Sequence, residues 1–305
     1  MRPKLVRLGY RMLGSVAEAE DVVQEAWLRY QRVDADVDNP EAFLARTVTR
    51  LCLDGLKSAR RRRETYVGPW LPEPIFDAQE TISDDVTLTL MVALERLSPL
   101  ERAAFLLHDV FGVELDEVAN TLEREPAACR KLATRAREHL RLAQPRYDVS
   151  AERGAQIAHA FYVASRAGDL SALRQLLAED VVVYSDGGGK RSAATKPVSG
   201  SSRVERFYVG LARKDRYRPS PYYQPVQIDG LAGFITAGRD RVPQTTALAL
   251  ADDKIVAIYM TRNPDKLTRV SIPGGSAGGA SALSVAPGGR PPIVSDCFGG
   301  ETNSD

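Results

Sequence analysis

At 305 residues, 44% apolar and 27% charged, the chain is long enough for two or three domains with ordinary soluble cores. A net charge of +1 excludes a globally basic or acidic protein, so any nucleic-acid binding must come from local clusters. No apolar run reaches the roughly 18 residues that cross a bilayer and no secretion signal opens the chain; the widely spaced Cys52, Cys129 and Cys297 exclude a disulfide framework or a cysteine-based zinc site and fit a reducing cytoplasm.

Residues 1–143 read as almost entirely helical. Gly14 closes a first helix, and Ser15 with Glu18 three residues on forms a capping box for the next. That helix, "AEAEDVVQEAWLRYQ", places Val22, Val23, Ala26, Trp27 and Tyr30 on one face and Asp21, Gln24, Glu25 and Arg29 on the other. The acidic face cannot bind DNA; it is a protein-docking face or a solvated one. Asn39 and Pro40 start a helix that runs to about Arg63. On it Arg46, Arg50, Lys57 and Arg61 fall within roughly a 60° sector at 100° per residue, a basic rail suited to DNA phosphates. The alternative is a salt-bridged surface, for which Asp54 is the nearest neutralising group. The helix ends in "LKSARRRRE", and the chain then turns apolar and stiff in "WLPEP" (70–74).

Helical spacing resumes at Leu90, Leu94 and Leu97, and Ser98-Pro99 starts another helix. "LDEVANTLE" places Leu115, Val118, Ala119 and Leu122 on one face. After a break at Arg124-Glu125 comes a helix from Pro126 to about Leu142, apolar at Cys129, Leu132, Ala133, Ala136 and Leu140. Arg130, Lys131, Thr134, Arg137 and Arg141 lie largely opposite. Two helices over a tight turn, the second with a cationic outer face, suit a major-groove reader; a plain solvated face is the alternative.

Near residue 150 the pattern changes. A helix with Ile157, Phe161 and Ala164 ends at Gly168, "LSALRQLLAED" reads as a short helix, and "VVVYS" as a strand. "DGGGK" (186–190) follows as a mobile turn, since it lacks the Walker pattern, and "GSSRVERFYVGLARK" is helical. The rest reads as successive antiparallel strands with turns at Asp229-Gly230 and Asp252-Asp253, which makes this an α+β domain. From Gly274 on the chain is glycine-rich, with the signature of disorder. His108, His139 and His159 are the three histidines; no metal spacing or catalytic set appears, and no cofactor is expected.

"SVAEAEDVVQEAWLRYQ", the helix to "SARRRRE" and "ELDEVANTLEREPAACRKLATRARE" resemble regions 2 and 4 of an extracytoplasmic-function sigma factor. Residues 150–270 resemble the SnoaL-like fold, and "WLPEP", "DGGGK" and "NPDKL" (263–267) match the subgroup that carries this domain at its C-terminus. The resemblance implies a multidomain chain: two all-α DNA-binding domains, a region 2 helical bundle (1–66) and a region 4 helix-turn-helix (84–145), then an α+β SnoaL-like cone. A linker (67–83) joins the first two and a tail (271–305) ends the chain. One departure is that the chain starts almost inside its first helix, where the family usually has further residues; the start lies upstream or the first region is short.

The resemblance further implies a cytoplasmic promoter-specificity subunit of RNA polymerase. Asp21, Gln24 and Glu25 would face the clamp helices of the core polymerase, with the flap as a second contact. The loop at Asp34–Asn39 and Asn39, Arg46, Arg50, Lys57, Arg60 and Arg61 would recognise and open the minus-ten element. Arg130, Lys131, Thr134 and Arg137 would serve the minus-thirty-five element. The three pentapeptides would form a regulatory contact: Trp70, Leu71, Pro72, Glu73 and Pro74 dock on Asp186, Gly187, Gly188, Gly189 and Lys190, with Asn263, Pro264, Asp265, Lys266 and Leu267 nearby. Lys190 is expected over Trp70 or beside Glu73. Two other functions stay open: a DNA-binding regulator that works without core polymerase, and an isomerase or cyclase using an acid–base pair among Tyr184, Asp186, Tyr208 and Asp240. An unknown small ligand of the cone is a further possible partner.

Overall fold

Backbone signals set the boundaries of the first three helices. The computed structural model describes residues 1–33, 37–76, 87–141, 149–214, 220, 222–238 and 240–272, and only the backbone of 57–64. Helix α1 (Arg2–Leu13) ends at Gly14, whose φ of 72° is the left-handed cap that glycine adopts without cost. Ser15 then caps α2 (Val16–Gln31), its hydroxyl accepting from the Glu18 amide. Asn39 does the same for α3 (Pro40–Glu64), accepting from the Ala42 amide at 3.0 Å. Trp27 departs from its expected face: Val23 and Ala26 are buried, but Trp27 is 48% exposed and lies tilted against the Tyr30 ring.

Four more helices follow: α4 (Leu88–Leu94), α5 (Pro99–Phe105), α6 (Leu115–Leu122) and α7 (Pro126–Leu140). A full capping box between Ser98 and Glu101 starts α5. A π-turn at Leu106–Val110 continues it. Glu123, with φ of 54°, makes the tight turn between α6 and α7. Helices α1–α3 and α4–α7 share one continuous apolar core. Arg102 of α5, 2% exposed, crosses between the two groups: it donates to Met12 O at 2.6 Å and Leu94 O at 3.0 Å and pairs with Glu95. A buried guanidinium is tolerated because every edge finds an acceptor.

The last unit is a six-stranded sheet with three helices. These are α8 (Ala151–Ala167), α9 (Leu170–Leu176) and α10 (Ser201–Ala212); the strands are β1 (Leu177–Asp186), β2 (Val198–Ser199), β3 (Tyr222–Ile228), β4 (Leu231–Ala237), β5 (Pro243–Ala251) and β6 (Lys254–Thr261). The order is β2-β1-β6-β5-β4-β3, so the expected antiparallel run β3–β6 is joined by a parallel β1–β6 pair. That pairing also explains why Leu177–Asp180 is strand rather than the end of the helix: Leu177 registers with Ile255, and long-range pairing overrides the local helical pattern.

The sheet buries both faces. Val183, Phe234, Leu248, Ile258 and Met260 pack under α8 and α10, against Phe161 of α8 and Val204 and Tyr208 of α10. Residues of opposite parity, Ala247, Ala249 and Tyr259, turn to the other side. There they meet Leu71 of the linker and Leu88 of α4. A sheet with one face on its own helices has no solvated side here because the other domains cover it.

Candidate functional site

The linker is where the three units meet. Leu71 is 0% exposed, buried on the outer face of the sheet, so the apolar linker does not stand outward in solvent. Burying such a side chain contributes roughly 1.5–3 kcal/mol. Prolines at 72 and 74 keep the strand extended and remove donors that would need partners. The remaining polar groups are met one by one. Leu71 N–H donates to Asp186 Oδ2 at 2.9 Å, Glu73 N–H to Gly14 O at 2.9 Å, and Ile75 N–H to Asp229 Oδ2 at 3.2 Å.

Two buried carboxylates organise the contact. Asp186, 0% exposed, also accepts from Tyr66 Oη at 2.5 Å and pairs with Lys266 Nζ at 2.7 Å. Lys266 donates in addition to Leu71 O and lies 4.1 Å from the centre of the Trp70 ring, a cation over an aromatic face. Burial, and then the hydrogen bond to Asp186, push the Tyr66 phenol well above its ordinary value, so it stays a donor. Asp229, in the turn between β3 and β4 at φ 46°, touches all three units. Its Oδ1 is 3.1 Å from Tyr10 Oη of α1, its Oδ2 holds linker residue Ile75, and its carbonyl accepts from Leu88 N–H at the start of α4. Burial and the Asp229 charge likewise raise the Tyr10 phenol.

Glu73 reaches the other way. Its Oε2 accepts from Val16 N–H at 2.9 Å and Ser15 Oγ at 3.3 Å, placing a negative charge at the positive end of the α2 dipole. Arg269, just past "NPDKL", pairs with Glu20 of α2 at 2.8 Å and lies 3.7 Å from Glu73.

The pentapeptides are therefore brought together, with different partners from those expected. Lys190 chelates Asp265, while Lys266 takes the place over Trp70 and Glu73 belongs to α2. "DGGGK" is not a loose turn: a Cβ on Gly188, at φ 59°, would overlap the Asn263 side chain, whose amide donates to Tyr66 Oη at 2.9 Å. Asn263 also opens the 3-10 turn Pro264–Lys266, and Leu267 is buried. Sequence reasoning missed Tyr10, Tyr66, Asp229 and Arg269; only the Asp-Gly pair at 229–230 gave a signal, and it read as a hairpin turn.

Three polar surfaces lie on the other helices. Asp21, Gln24 and Glu25 stand exposed on α2, with Glu25 bonded to Arg29. On α3 Arg46 and Arg50 are exposed, as is the cap Asn39. Asp34–Asp36 and the side chains of Lys57, Arg60 and Arg61 lie outside the described residues, as do Cys297 and the tail from residue 273. Arg50 is neutralised by Glu123 at 2.8 Å rather than by Asp54. On α7 Cys129, Ala133, Ala136 and Leu140 are buried, and Arg130, Lys131 and Thr134 are exposed on the opposite side. Arg137 is held by Asp109 at 2.7 Å.

Family models for sigma-70 region 2 and sigma-70 region 4 match residues 1–62 and 87–140. The ECF RNA polymerase sigma factor SigJ of Mycobacterium tuberculosis is 40% identical over 287 residues, 88% of this chain and 91% of its own length. The chain belongs to the extracytoplasmic-function RNA polymerase sigma factors. A probable sigma factor of this class, SigI of Mycobacterium tuberculosis, is 36% identical over 185 residues, 58% of this chain and 64% of its own. The crystal structure of SigJ superposes with a TM-score of 0.73 at 38% identity, over 88% of this chain and 95% of that one. The architecture of this sigma factor is thus helical regions 2 and 4 followed by a SnoaL-like domain of helices on a mixed sheet. Its function is to direct RNA polymerase to promoters.

Proposed function

We propose that each surface has a distinct role in promoter use, and that the third domain modulates this in cis from the cytoplasmic chain itself. Asp21, Gln24 and Glu25 dock on the clamp helices of core polymerase, with region 4 on the flap. Asn39, Arg46, Arg50, Lys57, Arg60 and Arg61 serve the minus-ten element, and Arg130, Lys131, Thr134 and Arg137 the minus-thirty-five element. The working units are residues 1–66, 84–145 and 150–270, with a linker at 67–83 and a tail at 271–305. The observation that carries this is α7: its long donors are exposed opposite a buried stripe, in a stretch that matches the region 4 model.

The third domain regulates rather than catalyses. Of the four candidate acid–base groups, Tyr208 lines the cavity under α8, beside Phe161, Arg166 and Met260. Tyr184 stacks on Tyr259 at the outer face, Asp186 lies under the linker, and Asp240 pairs with Arg191 at the surface. Their best-anchored member, Asp186, holds the linker instead.

Run-off transcription with purified core polymerase tests the assignment. Arg130→Ala or Lys131→Ala is expected to weaken promoter use by about 1–3 kcal/mol and to blunt the effect of a mutated minus-thirty-five element. Arg137→Ala should lower binding evenly across sequences. Equal losses from both classes on wild-type and mutated elements would remove base reading from positions 130–131. Reversing Asp21 and Glu25 together should abolish co-purification with core polymerase while leaving the thermal unfolding midpoint in place, because both side chains are exposed. Retained capture would withdraw that face.

A further inference from the structure

We infer that the third domain is itself a DNA-binding element: the outer face of α10 holds backbone phosphates beside the stretch that α7 reads. This rests on the α7 role proposed above. Arg203, Arg206, Arg213 and Lys214 are all exposed, and at 100° per residue they fall within a sector of roughly 100°. The opposite face, Val204, Glu205 and Tyr208, is buried in the domain. No carboxylate pairs with any of the four among the described residues, and Arg206 uses only its Nε, on Ser202 O of its own helix. The acid of α10, Glu205, is held by Arg174 of α9 at 3.1 Å. Asp169, beside α10 where Gly168 meets Ala212, caps α9 through the Ala172 amide. The stripe is therefore an uncompensated positive surface roughly 16 Å long, the length of about five base pairs.

Position and tether choose DNA as the polyanion. α10 lies on the sheet face turned away from Leu71 and Leu88, so neither helical region covers it. Ala151 of α8 follows Leu140 of α7 by eleven residues, a connection of at most roughly 40 Å even if extended. Whenever α7 sits on its element, the third domain is held near the flanking duplex at an effective concentration on the order of millimolar. Exposed Arg and Lys gain affinity there by displacing counterions from phosphate, without reading sequence. Gly210 lies in the middle of the stripe, and a Cβ there would meet nothing within 4 Å. The helix thus carries a flexible residue that no internal contact requires, and its missing side chain lets a phosphate approach the backbone between Arg206 and Arg213.

Binding of a promoter duplex by the full-length chain with core polymerase, measured against potassium chloride concentration, tests this. Replacing Arg203, Arg206, Arg213 and Lys214 together by Gln should flatten the slope of log affinity against log salt by roughly 3. Hydroxyl-radical footprints of that variant should lose protection beside the minus-thirty-five element, with the element itself still covered. Gly210→Glu should weaken binding about 2–5-fold and Gly210→Lys strengthen it by a similar factor, the scale of one exposed ion pair. Gly210→Ala should leave the affinity unchanged, and all three keep the fold because the position is open. An unchanged slope, or a Gly210 series that does not follow charge, overturns the inference. So does a loss confined to capture of core polymerase, which would make the stripe a protein contact. If Arg130→Ala leaves the affinity for wild-type and mutated elements alike, the α7 reading fails, and the slope and the Gly210 series still decide whether α10 holds phosphate.

Discussion

Asp186→Ala is expected to lower the free energy of unfolding by about 3–5 kcal/mol and to expose the linker to proteases. The carboxylate is fully buried and satisfies three donors at once, the Tyr66 hydroxyl, the Leu71 amide and the Lys266 ammonium. Deleting it leaves a cation, 12% exposed, without its counter-charge between two aromatic rings. Asp186→Asn should cost less, since an amide oxygen still accepts from Leu71 but no longer balances the charge. Lys266→Met in the Asp186→Ala background should recover only part, because the Leu71 N–H stays unpaired. Denaturant unfolding and cleavage after residue 64 measure both effects. A loss within about 0.5 kcal/mol, the range of ordinary surface changes, would refute the role given to this carboxylate.

Gly14→Ala is expected to cost about 2–5 kcal/mol although it adds a single methyl group. The left-handed backbone at φ 72° accounts for roughly 1–2 kcal/mol of this. The new Cβ would also overlap the Trp70 ring, and crowding of that kind adds roughly 1–3 kcal/mol. Trp70 has little room to retreat, because Lys266 lies over its ring and the next residue, Leu71, is buried. Pairing Gly14→Ala with Trp70→Ala separates the two causes. If the double variant is no better than the sum of the singles, the ring is not what the methyl meets.

Much of the helical half was legible because its signals are local. Caps at Ser15, Asn39 and Ser98 need only neighbours in sequence, and the buried stripe of α7 follows from spacing alone. The parallel β1–β6 pair was not legible, since nothing near Leu177 encodes Ile255. The site divides the same way. Exposure of Arg130, Lys131, Asp21 and Glu25 follows from helical phase. The "WLPEP" segment raised the question of a docking partner through its exposed-looking apolar residues, but which cation would meet Trp70 depended on how two turns fold against each other. Lys190 and Lys266 are equivalent as sequence; only the tertiary fold sends one to Asp265 and the other under the linker. Tyr10 and Asp229, 219 positions apart, left no trace that spacing could reveal.

That separation also orders events at the ribosome. Chains grow at about 5–20 residues per second, so Tyr10 waits roughly 10–45 s before Asp229 is made. Only for about the last 4–17 s of that interval are both promoter-reading units complete, while the sheet that ties them together is not. Leu71 of the linker has no sheet face to bury against until synthesis is nearly finished. A chain cut short before β3 keeps the helices that match regions 2 and 4 and loses the Asp229 bonds that fasten them to the sheet.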